Sequence, residues 1–93
     1  MRLRLRGQVQ EIYTRSGHVS GERVMSVREI SDADTGNLVL RGKSIPLNKH
    51  AKEIGVCVGD WIEFEGDVVS YDGKTQITQT RSFRRTGNYW PLR

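Results

Sequence analysis

Apolar and polar residues alternate most cleanly between Gly59 and Phe83, and the rest of the chain is arranged around that stretch. Ile62, Phe64, Gly66 and Val68 fall on one face of an extended chain, with Trp61, Glu63, Glu65 and Asp67 on the other. Asp72-Gly73 follows, a pair suited to a two-residue turn in which both central residues need positive φ. Thr75 to Phe83, rich in Thr and Gln, then suits a returning strand with one wet face. The stretch predicts a β-hairpin.

The same alternation opens the chain. Leu3, Leu5, Gly7 and Val9 share one face, and Arg2, Arg4, Arg6, Gln8 and Gln10 the other. Gly7 marks a bulge or bend, and Ile12 falls out of step with Val9, as an inserted residue would cause. A turn-rich loop over 14–21 carries Arg15 and His18. A second strand runs over about 22–31 with blurred alternation, since Val24 and Met25 are both apolar. Asp32 to Asn37 is a turn, and a third strand spans Leu38 to Leu47, closed by Pro46. Its pattern puts Leu38 and Leu40 on one face and Val39, Arg41, Lys43 and Ile45 on the other. The single helix is short, over Asn48–Gly55: Asn48 caps it, Ala51 and Ile54 face the core, and Gly55 stops it. After Phe83, residues 84–93 show no period.

With 93 residues there is room for one domain, and a hydrophobic fraction of 35% requires a compact core. One cysteine, Cys57, excludes an intramolecular disulfide and fits a reducing compartment. No continuous apolar run suggests a signal peptide or a membrane span, so a cytoplasmic protein is expected. The net charge of +4 conceals a segregation: residues 1–28 carry +4, residues 29–72 carry −5 and residues 73–93 carry +5. Basic ends around an acidic middle suggest a polyanion-facing surface, and arginine suits phosphate better than lysine does. Solubilising charge is the plainer explanation, and the preponderance of arginine puts the polyanion reading ahead of it.

Three strands, a helix and a hairpin, with a glycine inside the first strand and Val58-Gly59-Asp60 before the fourth, resemble an OB-fold. The resemblance covers about residues 2–85. It implies an all-β, five-stranded Greek-key barrel with one short helix between strands three and four. Val58-Gly59-Asp60-Trp61-Ile62-Glu63-Phe64 resembles the start of the fourth strand in OB domains of the single-strand-binding and anticodon-binding kind. The expected layout is an OB-fold domain over 1–85 and a C-terminal tail over 86–93.

Nothing points to catalysis. His18 and His50 lie in different elements, no Ser or Cys has a neighbouring base in a known motif, and no Gly-rich phosphate loop occurs. One Cys and two scattered His cannot supply a usual zinc set, and a solvated strand face is the simpler account of Glu63, Glu65 and Asp67. A non-catalytic protein without metal or cofactor is expected. Single-strand binding needs cations tracking phosphates and flat side chains for bases. The OB resemblance places Arg15 and His18 in one groove-bounding loop, and Tyr71 and Lys74 in the other. Arg28, Arg41 and Lys43 would form the wall between them, with Arg81, Arg84 and Arg85 as a basic exit. Trp61 is expected to cover the barrel's end rather than to stack on bases. The expected function is therefore binding of single-stranded DNA or RNA with little sequence preference. The alternative is an OB subunit docking on a replication, repair or translation complex, or self-associating, through Tyr89-Trp90-Pro91-Leu92.

Overall fold

The structure, a computed structural model, describes residues 1–14 and 23–87. The loop carrying Arg15 and His18, and the tail carrying Tyr89 and Trp90, lie outside the described residues. The elements are β1 (Arg2–Thr14), β2 (Arg23–Asp32), β3 (Leu38–Pro46), α1 (Lys49–Glu53), β4 (Trp61–Tyr71) and β5 (Lys74–Gly87). All the strand pairings are antiparallel within one sheet, in the order β3-β2-β1-β4-β5. The all-β class, the short helix and the hairpin agree with the sequence reading. Closure into a barrel does not: the ladder ends at β3 and β5, which approach each other without pairing. Among the described residues, no helix is long and apolar enough to cross a membrane.

Local chemistry accounts for the elements. The turn between β4 and β5 has Asp72 at φ 56° and Gly73 at φ 72°, the left-handed pair that a two-residue hairpin demands. Asn48 caps α1 by accepting the Ala51 N–H at 2.8 Å, and Ile54 and Gly55 complete the last turn. In β1 the register against β2 slips between Arg6 and Gln8, and again between Val9 and Glu11. The second slip explains why Ile12 leaves the phase of Val9.

Curvature comes from such bulges. Gly7 faces inward at the tightest bend, where a Cβ would lie 2.6 Å from Val27 Cγ1 and 3.2 Å from the Arg28 carbonyl oxygen. In β5, Gln79 and Ser82 take positive φ (53° and 59°) where the register against β4 shifts. These two extra residues change the repeat of the strand from two to three. Ile77 and Phe83 are buried with Thr80 half-buried between them, while Thr78, Arg81 and Arg84 stand opposite Asp67, Glu65 and Glu63.

The inward face gathers Leu5, Val9, Met25, Val27, Ile30, Ile45, Ile62, Phe64, Ile77 and Phe83 into one core, which Ala51 and Val56 join from α1 and the loop after it. Phe64 and Phe83 stack with ring centroids 5.4 Å apart.

Candidate functional site

The charge segregation of the sequence becomes a set of contacts across the sheet. Every described arginine of β1 and β5 reaches a carboxylate. Arg2 lies 3.8 Å from both Glu65 and Asp67, and Arg4 is 2.7 Å from Asp34. Arg6 and Arg84 grip Glu63 at 3.3 and 2.6 Å, Arg81 lies 3.4 Å from Glu65, and Arg85 is 3.0 Å from Asp60. The acidic β4 thus lies between two basic strands, and its outward face is an ion-pair lattice. Most of these pairs are solvent-exposed and weak.

Two of the carboxylates are anchored by burial. Glu63 has a side chain only 10% exposed. Burial pushes its carboxyl up, but hydrogen bonds from Arg84 and Arg6 outweigh that and hold it below its ordinary value. Asp60 is buried as well, and one of its oxygens accepts the Cys57 N–H at 2.8 Å. Arg85 joins Asp60 to the Ile54 carbonyl, so it ties β5 to the end of α1. Of the expected site residues, Arg81, Arg84 and Arg85 are therefore engaged in ion pairs within the fold.

The other described cations form no ion pair among the described residues. They are Arg23 and Arg28 on β2, Arg41 and Lys43 on β3, Lys49 and Lys52 on α1, and Lys74 at the hairpin. Lys43 stands opposite buried Val27 and lines a cleft of about 380 Å³ between the edges of β3 and β5. Ser44, Asn48, Thr78, Gln79 and Thr80 add hydrogen-bonding groups to that cleft, and Ile45 and Ile77 form apolar wall. Arg41 is exposed on the same strand, while Tyr71 and Lys74 are exposed and paired across the turn.

Arg28 parts company with Lys43. Glu29, at φ 54°, breaks the alternation of β2, so that Val27 and Ile30 are both buried and Arg28 turns outward. There its Nε and Nη2 both donate to Gln8 Oε1, at 3.1 and 2.9 Å, and Gln8 Nε2 donates to the Gly59 carbonyl at 3.3 Å. The wall expected from Arg28, Arg41 and Lys43 together is thus divided between two faces of the sheet. Sequence reasoning left Gln8 out, although its place between inward Gly7 and Val9 marks it as outward. Trp61 lies beside Gln8 on β4, half-buried on the outward side. Among the described residues, no group of His, Cys, Asp and Glu is placed to hold a metal ion. No protein-family model matches the chain, and comparison with curated proteins and with solved structures gives no match.

Proposed function

We propose that the chain is a non-catalytic OB-fold protein, open along the β3–β5 seam, that binds single-stranded DNA or RNA with little sequence preference. The strand order supports the fold: a fourth strand that returns beside the first, in spatial order 4-1-2-3, is the Greek-key arrangement. An OB barrel is partly open, and α1 lies between β3 and β4, where the resemblance to that fold places its helix.

One observation carries the binding reading. Internal ion pairs engage the arginines of β1 and β5, and the cations left without a carboxylate among the described residues fall on β2, β3, α1 and the hairpin. Positive charge not compensated within the fold is available to phosphate. The basic path therefore runs over Arg41, Lys43 and Lys74, with Tyr71 as a flat side chain at its end, and Arg28 stands apart on the outward face. Fluorescence anisotropy with labelled oligo-dT, oligo-U and duplex at two salt concentrations tests it. Replacing Arg41 and Lys43 together by Ala should weaken single-strand binding and flatten its salt dependence by about 1.4 in log–log slope, about 0.7 for each lost phosphate contact. Unchanged affinity and slope would favour a protein-docking role instead.

A further inference from the structure

The outward surface holds a row that the basic path does not explain. At one level of the sheet the register places Gly42 on β3, Arg28 on β2, Gln8 on β1, Trp61 on β4 and Gly87 on β5 side by side. Glycines at both ends leave the row without overhanging side chains there. Within it, Arg28 differs from the arginines of β1 and β5: it is held by the neutral amide oxygen of Gln8 instead of a carboxylate. Its guanidinium is fixed in place while its charge stays uncompensated by any described acid. The bonds to Gln8 draw the guanidinium over β1, one strand spacing of about 5 Å from the strand that carries Trp61. Gln8 is held in turn by Gly59, and the Trp61 carbonyl accepts a bond from Thr86 Oγ1 at 3.0 Å.

We propose that Arg28, Gln8 and Trp61 form a nucleotide platform on the outward face, where the Trp61 ring stacks on one base and Arg28 takes the adjoining phosphate. The inference rests on the single-strand-binding reading and adds a base-contacting residue to it. An indole is a stacking surface for any base, and a pre-positioned guanidinium fork loses little freedom on meeting phosphate. Gln8 acts as a positioning residue: its amide orients Arg28 without neutralising it.

That role gives a sharp test. Gln8→Glu conserves shape and keeps an acceptor under Arg28, but supplies the carboxylate that the platform lacks. It gives up the donation to the Gly59 carbonyl in exchange for an ion pair with Arg28, so a thermal melt accompanies the titration; folded at the assay temperature, it should bind labelled oligo-dT more weakly, with a salt slope shallower by about 0.7. Trp61→Leu should weaken binding about fivefold or more. In a Trp90→Phe background, which leaves Trp61 as the sole tryptophan, saturating oligo-dT should quench the emission. Wild-type affinity and slope in Gln8→Glu, or Trp61 emission unmoved at saturation, would overturn the platform. If those results came while the Arg41→Ala, Lys43→Ala variant still lost affinity, only the platform would fall. If wild type bound no oligonucleotide even at low salt, the binding reading would fail and take the platform with it.

Discussion

Glu63→Gln tests whether the sheet is braced by its central ion pairs. The substitution keeps the size of a side chain that is 10% exposed, but removes the charge and leaves one acceptor oxygen where Arg6 and Arg84 each use their own. A hydrogen bond to a charged group contributes about 1.5–3 kcal/mol, and a neutral one about 0.5–1.5. One bond weakened and one lost would therefore cost about 2–3 kcal/mol. Arg84 is 66% exposed, so water screens its share and the expected loss is about 1–2 kcal/mol. For a chain of this size that lowers Tm by about 5–15 °C. The effect has a pH signature. A carboxyl held below its ordinary value of 4.5 contributes its full stability above that value, and the contribution disappears as pH falls through the lowered one. The gap between wild type and Glu63→Gln should thus be widest near neutral pH and narrow below about pH 4. Circular-dichroism melts across that range measure it, with Glu65→Gln as a control in a side chain 40% exposed, where the loss stays under about 1 kcal/mol. A Tm within a degree of wild type, or a gap that does not change with pH, would refute the reasoning.

Two further perturbations probe the frame. Asp60→Ala removes the acceptor of the Cys57 N–H and the partner of Arg85, and should cost about 2 kcal/mol in urea unfolding, with Arg85→Ala costing less because its side chain is 45% exposed. Equal costs for the two would contradict the assignment of Asp60 as the anchor. Gly7→Ala drives a methyl against Val27 Cγ1 and the Arg28 carbonyl, and should destabilise by about 1–3 kcal/mol; a neutral result would mean that the bend at β1 is not tight.

The hairpin, the helix and the order of elements were legible because each has a local cause: Asp72-Gly73 for the turn, Asn48 for the cap, the inward row from Ile62 to Val68 for β4. The pairing of charges was not legible. Arg81 and Arg84 are three apart, and in a regular strand that spacing puts them on opposite faces. Only the bulges at Gln79 and Ser82 bring both opposite acidic residues of β4. Glu29 has the same effect on β2, separating Arg28 from Lys43, and nothing in an unpaired strand announces which residue adopts a left-handed conformation. Closure failed to follow from the element order because it depends on how far the accumulated bulges curl the sheet, which is a property of all five strands together.

The open seam has its own consequence. Two strand edges that do not meet present main-chain donors and acceptors to any extended chain, including the same edges on another molecule. The β5 edge is interrupted by its bulges, and β3 carries Arg41 and Lys43 along its length. Those two cations place like charge along the β3 edge, which discourages pairing with the same edge of another molecule. Neutralising them should make the protein stickier towards itself at high concentration, so affinity lost in that variant is meaningful only where sedimentation shows a monomer unchanged from wild type.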